Sequence, residues 1–222
     1  MHTPPSKTRE PLTRERIELA AFEVIEAEGF AEFSTRKLAK RLGCEAMSIY
    51  HHFPSKAHLL DALIDRIVGA MPAPPSDLPP RERLRFAAEA FRDAGMSQPA
   101  FFQYLAIHRM NTQVAIRWLD GTVGLFREAG LSDEVSARLF RVVGFYLMGA
   151  ILDETNGYAR GPSAVTPVPG EVIMRDFPSV AAVAPWFQTP EHKANFDYGL
   201  TLMLDAFDAE LAKAKGAKPD GS

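Results

Sequence analysis

The stretch that decides the fold is residues 34–56, which read STRKLAKRLGCEAMSIYHHFPSK. Ser34 is suited to cap the helix that follows it, because its hydroxyl can accept an otherwise unpaired backbone N–H. Gly43 predicts the end of that helix, since glycine adopts the left-handed conformation that commonly follows a helix. A second short helix is expected from about Glu45 to Tyr50. Two helices joined by a glycine turn form a helix-turn-helix, which lays its second helix in the DNA major groove.

Local charge favours the same interpretation. Residues 34–58 hold five basic residues against the single acid Glu45, which is five minus one, or +4. The basic residues are Arg36, Lys37, Lys40, Arg41 and Lys56. Such clusters supply non-specific affinity for DNA phosphates. A solvated helix face is the alternative explanation, but the adjacent aromatic run YHHF and the following lysine favour DNA.

These residues also carry a family resemblance. TRKLAKRLG, then E, SIYHHF and SKAHLLDAL resemble the N-terminal domain of tetracycline-repressor (TetR) type regulators over about residues 13–68. The resemblance implies an all-α protein with an N-terminal three-helix DNA-binding domain, residues 1–70, that contains the helix-turn-helix. It implies a larger C-terminal helical domain for dimerisation and ligand binding, residues 71–222. The implied function is sequence-specific transcriptional regulation, as a repressor that a small molecule releases from its operator.

The predicted contacts to double-stranded operator DNA combine the resemblance with side-chain chemistry. Arg36 matches a base-reading arginine of that family, and a guanidinium can pair with guanine. Ala46 and Met47 are apolar and are expected to touch a thymine methyl group. Thr35, Tyr50, His52 and Lys56 are assigned mainly to DNA phosphates. The full set is Thr35, Arg36, Lys37, Glu45, Ala46, Met47, Ser48, Tyr50, His51, His52 and Lys56.

Composition limits the other possibilities. The chain has 222 residues, a net charge of −3 and one cysteine, Cys44, which excludes an intramolecular disulfide framework. Residues 1–70 contain ten basic and ten acidic groups, and residues 71–222 contain fifteen and eighteen, so the acidic excess lies away from the proposed DNA face. We find no signal peptide, and no apolar run approaches the roughly 18 residues of a membrane helix. A soluble cytoplasmic protein without a membrane partner is therefore expected.

The rest of the chain is predicted to be helical. The segment MPAPPSDLPP at 71–80 marks a boundary, because five prolines in ten residues cannot continue a helix. Helical periodicity then predicts helices over residues 81–96, 99–110, 112–129, 133–154 and from about 190 onward. Residues 160–190 contain six prolines and are expected to form a long loop with at most one helical turn, at 180–183. Lys213 and Lys215 are expected in a frayed tail.

Two sets of residues are assigned to the larger domain. The resemblance implies a ligand cavity for an unknown small-molecule effector, and the candidates for its lining are Phe91, Phe101, Phe102, Tyr104, His108, Asn111, Trp118 and Tyr146. Apolar excess on residues 139–152 and 196–207 predicts a homodimer interface, formed by Phe145, Gly149, Leu152, Phe196, Leu200, Met203, Leu204 and Phe207. We expect no metal and no cofactor, because two polar partners of the family's metal–drug site fall near Pro72 and Ala90.

Two alternatives to a ligand-responsive regulator stay open. The sequence has no glycine-rich phosphate loop, no HExxH motif and no GxSxG motif, and no group of catalytic residues stands out in it. A helical enzyme that uses the C-terminal cavity would leave the basic helix-turn-helix unexplained. A constitutive DNA-binding protein without an effector fits the same N-terminal motif.

Overall fold

The structure is a computed structural model, and it describes residues 11–108, 110–156, 165–187 and 191–216. Residues 1–10 and Arg109 lie outside these ranges. Within them the chain is all helical, with eleven α-helices, one 3-10 turn at Phe30–Glu32 and no strand. The helices are α1 (Arg14–Glu28), α2 (Thr35–Leu42), α3 (Ala46–Tyr50), α4 (Lys56–Ala70), α5 (Pro80–Ser97), α6 (Pro99–Ile107), α7 (Gln113–Glu128), α8 (Asp133–Asn156), α9 (Gly170–Asp176), α10 (Pro178–Phe187) and α11 (His192–Gly216).

Local capping chemistry sets the starts of α1, α2 and α4 and the end of α2. The hydroxyls of Thr13, Ser34 and Ser55 each accept the backbone N–H three residues ahead, at the start of α1, α2 and α4. Gly43 closes α2 with φ 65° and ψ 35°, the left-handed conformation that was predicted. The N–H of Cys44 then bonds to the carbonyl of Ala39 at 3.0 Å, which fixes the turn into α3. The helix-turn-helix is confirmed.

Three expectations about the larger domain were wrong. Helix α6 ends at Ile107, earlier than predicted, and α11 continues through Lys213 and Lys215 to Gly216. The segment 160–190, which was expected to be a loop, holds two helices, α9 and α10, that pack against each other. Two of the prolines did not prevent these helices because Pro169 directly precedes α9 and Pro178 is the first residue of α10, whereas Pro185 lies inside α10, in its last turn. A proline at a helix start loses no intrahelical hydrogen bond.

The hydrophobic core runs through both halves of the chain without interruption. One cluster of buried side chains extends from Ile17 in α1 to Phe207 in α11. Helix α5 packs on α6, α7, α8 and α11, while α6 also packs on α1. At that junction the ring of Phe101 meets Phe22 edge-on at 5.4 Å, and Tyr104 stacks on Phe30 at 4.6 Å. The N-terminal half, which contains the helix-turn-helix, is therefore joined to the larger half by aromatic packing.

Four of the predicted dimer contacts are buried inside the chain itself. Phe196, Leu200, Leu204 and Phe207 are each no more than 3% exposed. They lie on the stripe of α11 that faces α5 and α8, so they stabilise the fold of one chain and offer no surface to a second one. Met203 and Leu152 are half-buried, whereas Phe145 and Gly149 are exposed.

Helix α8 is more apolar than its burial within the chain requires. Its 24 residues contain an 18-residue window of mean hydropathy 1.5, long and apolar enough by composition to cross a membrane, and only 17% of that window is buried. The search of the sequence for an uninterrupted apolar run did not find this helix, because charged residues interrupt its apolar stretch. Val142 and Phe145 are exposed on one side. Since α8 packs against α5, α6, α7 and α11, its outer side is the face that a second chain would have to cover.

Candidate DNA interface and ligand cavity

The residues predicted to contact DNA lie together on α2, α3 and the start of α4. Arg36, Glu45, Met47, Tyr50, His51 and Lys56 are exposed, and Thr35, Lys37, Ala46, Ser48 and His52 are half-buried. Met47 is the most prominent apolar side chain of the recognition helix α3, with 66% of its surface exposed. The hydroxyls of Thr35 and Tyr50 are 3.1 Å apart, which brings the start of α2 against the end of α3.

The basic cluster is weaker than the sequence count of +4 suggests, because acids outside that window reach into it. The Lys37 Nζ contacts carboxylate oxygens of Glu28 at 2.7 Å and Glu32 at 3.3 Å. The hydrogen bond that Lys37 donates to Glu28 is the main cause that raises the pKa of Lys37. Arg41 pairs with Glu23 at 2.6 Å. These two cations are partly neutralised within the chain, so fewer charges remain for phosphates.

Arg36 and Lys40 keep their charge available. Both are exposed, and neither has an ion-pair partner among the described residues. The Lys56 Nζ donates to the carbonyl of Phe33 at 2.8 Å and lies 5.1 Å from the centre of the Phe33 ring. An ammonium has three N–H donors, so this bond holds the lysine at the start of α4 and leaves donors for a DNA phosphate.

Sequence reasoning missed one residue that positions the recognition helix. The guanidinium of Arg14 on α1 donates to the carbonyl of His52 at 2.8 Å and lies 4.3 Å from the centre of the Phe53 ring. It thereby binds the backbone two residues beyond the C-terminal end of α3, near which a cation is favourable. The signal in the sequence was only an arginine beside a helix cap, which does not indicate a partner 38 residues away.

A cavity of about 550 Å³ lies between α5, α7 and α8, below the end of α6. Its volume is within the usual range for small-molecule sites. Of the eight predicted lining residues, Phe91, Asn111 and Trp118 line it. Ala106, Met110, Phe126, Phe140 and Met148 were not predicted and also line it. Single apolar residues of this kind carry no sequence signal that separates a cavity wall from ordinary core.

The other five predicted lining residues are used elsewhere. Phe101 packs on Phe22 of α1 and Tyr104 packs on Phe30 of the 3-10 turn, because both lie on the opposite side of α6 from Ala106. Phe102 packs behind Phe91, with ring centres 6.0 Å apart. Tyr146 donates its hydroxyl to the carbonyl of Phe196 at 2.6 Å and so joins α8 to α11.

His108, the fifth, binds helix α4 and does not line the cavity. Its Nε2 is 2.9 Å from a carboxylate oxygen of Asp61. One turn further along α4, Asp65 accepts a hydrogen bond from the hydroxyl of Thr112. The same Thr112 oxygen accepts the N–H of Ala115 at 3.1 Å and so caps α7. Helix α4 therefore holds both ends of the segment that joins α6 to α7, whose middle lines the cavity.

Glu26 makes a second link between the halves. Its carboxylate accepts the backbone N–H of Ala100 at 3.1 Å and that of Phe101 at 3.3 Å. Because Pro99 begins α6 and has no N–H, these two groups are the first that need a partner. An acid of α1 thus caps a helix of the larger half. Among the described residues there is no cluster of three or more His, Cys, Asp or Glu suited to a metal ion.

Comparisons with known proteins agree with this architecture. The model "Bacterial regulatory proteins, tetR family" matches residues 18–63, and the model "Tetracyclin repressor-like, C-terminal domain" matches residues 71–211. The HTH-type transcriptional repressor DrrR1 of Streptomyces coeruleorubidus is 25% identical over 226 residues, covering 96% of this chain and 83% of the relative.

Two further proteins are similar along most of their length. The tetracycline repressor protein class A from transposon 1721 of Escherichia coli is 28% identical over 195 residues, covering 84% of this chain and 86% of the relative. The crystal structure of a possible TetR family transcriptional regulator from Streptomyces coelicolor A3(2) superposes with a TM-score of 0.74 at 26% identity, covering 89% of this chain and 99% of that one. With both halves matched by models of one family, the chain belongs to the tetR family of bacterial regulatory proteins and is a DNA-binding transcriptional regulator, not an enzyme.

Proposed function

We propose that this regulator is a cytoplasmic homodimeric repressor that leaves its operator when a small organic effector fills the cavity between α5, α7 and α8. The observation that carries the proposal is the pair of contacts from Asp61 and Asp65 on α4 to His108 and Thr112, on either side of a stretch that lines the cavity. Repression, as opposed to activation, is supported by the names of the two relatives described above. Residues 1–70 would form the DNA-binding part, and residues 71–222 the sensing and dimerisation part.

The eleven predicted residues of α2, α3 and early α4 would form the DNA interface. Arg36, exposed and without an ion-pair partner in the described chain, would read a guanine. The exposed side chain of Met47 would meet a thymine methyl group. Thr35, Tyr50 and Lys56 would contact phosphates and fix the register. One such unit selects a site weakly, so two matched half-sites are needed.

The dimer would use the exposed side of α8 together with that of α11. Val142 and Phe145 on α8 are 47% and 66% exposed, and Tyr198 and Leu202 on α11 are 70% and 47% exposed. Helices α8 and α11 pack against each other, so their outer sides form one face. Gly149 on this face has open space where a Cβ would lie, which allows a close approach of a partner helix. The four buried α11 residues lie behind this surface.

The effector would act through α4. Its first residue, Lys56, lies at the DNA face, while Asp61 and Asp65 bind the segment beside the cavity. The two recognition helices of a dimer must sit about 34–36 Å apart to enter successive major grooves. A ligand that fits better when the segment between α6 and α7 shifts would move α4 and favour the wrong spacing. By linkage, operator DNA must then weaken ligand binding by the same factor.

The test begins with an operator selected from genomic fragments that the purified protein retains, followed by a screen for compounds that release it. Ligand affinity is then measured with and without operator, in the wild type and in Thr112→Val, which removes the donor to Asp65. The variant is expected to bind operator but to show a smaller operator effect on ligand affinity. Thr201→Val is the matched control, since its hydroxyl bonds to the carbonyl of Asp197 within α11.

A constitutive DNA-binding protein is the second candidate, favoured by the same helix-turn-helix. The two candidates differ in one measurement. If compounds fill the cavity and their affinity is equal with and without operator, the release mechanism is rejected and the constitutive binder is the better description. If no genomic fragment is retained, the DNA interface proposed above is wrong.

A further inference from the structure

The walls of the cavity select against polar molecules. Apart from Asn111, Thr122 and Arg141, the described lining is formed by apolar, aromatic or glycine residues. Thr122 already donates its hydroxyl to the carbonyl of Trp118 at 2.9 Å, so it offers a ligand only an acceptor. A ligand with many hydrogen-bonding groups would lose its water there without gaining partners, which costs affinity. The body of the ligand must therefore be largely apolar.

One wall has a shape that suits a flat ring. Phe91 on α5 and Trp118 on α7 stack with ring centres 5.6 Å apart and planes inclined by 27°. Phe126 and Phe140 add aromatic surface to the same cavity. Aromatic rings prefer offset-stacked or edge-to-face partners, and such contacts add to the gain from burial alone. A planar aromatic body uses these walls better than an aliphatic one.

Arg141 is the single charged side chain in the described lining. It is exposed, has no ion-pair partner among the described residues, and its guanidinium lies 5.5 Å from the centre of the Phe145 ring. The guanidinium N–H groups have no hydrogen-bond or ion-pair partner among the described residues. Those groups match the two oxygens of a carboxylate or sulfonate. In contrast, no acid in the described lining would receive a cation.

From these three observations we infer that the effector is a planar aromatic organic anion, with its aromatic body against Phe91 and Trp118 and its acid group at Arg141. The inference rests on the proposed function, since it takes the cavity to be the effector site. It differs from that function by naming the chemical class of the ligand. A neutral apolar compound would fill the same volume but leave Arg141 without a partner.

Two fluorescent probes that differ by one sulfonate group test this inference. The anion 8-anilino-1-naphthalenesulfonate and its uncharged analogue N-phenyl-1-naphthylamine share one ring system. The full-length protein is expected to bind one anionic probe per chain more tightly than the neutral probe. Arg141→Gln should lower affinity for the anion by about three- to tenfold, as expected for a partly exposed charge-assisted contact. Affinity for the neutral probe should not change.

Three variants complete the experiment. Arg141→Lys should retain part of the preference for the anion, because it keeps the charge and loses the fork. Arg138→Gln is the control, because Arg138 lies on the same helix but does not line the cavity. Its guanidinium pairs with the Glu134 carboxylate at 2.7 Å on the exposed surface of α8. Ala87→Trp fills the cavity from α5 and should abolish binding of both probes, with its fold checked by circular dichroism.

Several outcomes would overturn the assignment. Equal affinity of the wild type for the two probes would remove the role of charge. An equal loss for both probes in Arg141→Gln would make the arginine a packing residue. Anion binding that survives Ala87→Trp would place the probe on another apolar surface. Operator binding by the same preparation separates the proposals, since a protein that binds operator yet prefers the neutral probe refutes only the ligand class.

Discussion

Substitution of Gly199 by alanine tests the packing that joins α8 to α11. A Cβ at this position would lie 2.4 Å from Cε2 of Tyr146 and 2.6 Å from its Cζ and hydroxyl oxygen. Carbon atoms in contact normally sit about 3.5–4.0 Å apart, so the ring must move by roughly 1 Å. That movement also disturbs the hydrogen bond from the Tyr146 hydroxyl to the carbonyl of Phe196, which is 2.6 Å long.

The expected change in the free energy of unfolding follows from three contributions. Forcing a methyl group into a packed core costs about 1–3 kcal/mol. Loss of the tyrosine hydrogen bond costs about 1 kcal/mol. Alanine is favoured over glycine inside a helix by about 1 kcal/mol, which offsets the second cost. Gly199→Ala is therefore expected to destabilise the protein by about 1–3 kcal/mol.

Urea unfolding at one fixed protein concentration measures this change, because the stability of a dimer depends on concentration. Gly121→Ala is the matched control: it lies inside α7, and a Cβ there would meet nothing within 4 Å. The control should be stabilising by up to about 1 kcal/mol. Replacing Tyr146 by leucine in the Gly199→Ala background should recover part of the loss. If Gly199→Ala stabilises the protein as much as the control does, the close approach of α8 and α11 is wrong.

Four further predictions concern other parts of the molecule. Arg36→Ala should weaken operator binding by about 1–3 kcal/mol and relax preference at one base pair, measured by fluorescence anisotropy on operator variants, where unchanged preference at every position would reject the base contact. Phe145→Glu should yield a folded monomer in sedimentation velocity at micromolar concentration, whereas Leu204→Glu should unfold the chain. A folded dimer would contradict the assignment of Phe145 to the dimer face or of Leu204 to the core, according to the variant in which it is seen. Burial, and then the charge of Asp61, raise the pKa of Tyr104 above its ordinary value of 10.0, so the stability that Tyr104 contributes is present below pH 10 and declines as the pH rises further. Tyr104→Phe should flatten that decline in the free energy of unfolding. The same decline in the wild type and in the variant would exclude the effect. Glu26→Ala should lower the free energy of unfolding by about 1 kcal/mol through loss of the α6 cap, and an unchanged urea midpoint would argue against the cap.

The ends of the early helices were predictable because they depend on a few adjacent residues. Ser34 and Gly43 set α2 through bonds within four residues of themselves, and those bonds are present in the structure. The same local logic was wrong for the proline-rich segment, because it treated each proline as a stop. Pro169 and Pro178 instead stand at the starts of helices, where the missing N–H costs nothing.

The use of each face of α6 and α11 could not be predicted. Both helices carry aromatic or aliphatic residues on several sides, so periodicity alone does not tell which side meets a neighbour, a cavity or a second chain. Tyr104 packs on Phe30 of the 3-10 turn, and Leu204 is buried in the core of its own chain. Charge partners were missed for a related reason. Lys37 is held by Glu28 and Glu32, which precede the window in which its charge was counted.

The cap that Glu26 provides to α6 has a consequence for engineering hybrid regulators. DNA-reading heads are attractive to exchange between sensors, so that one signal controls another promoter. Here the head supplies the acceptor for Ala100 and Phe101 and the ring surface for Tyr104, so a foreign head joined to this sensor at residues 71–80 would leave all three residues without their partners. A foreign head that works on this sensor must present an acid at the position of Glu26 and an aromatic ring at that of Phe30, or bring its own α6 with it.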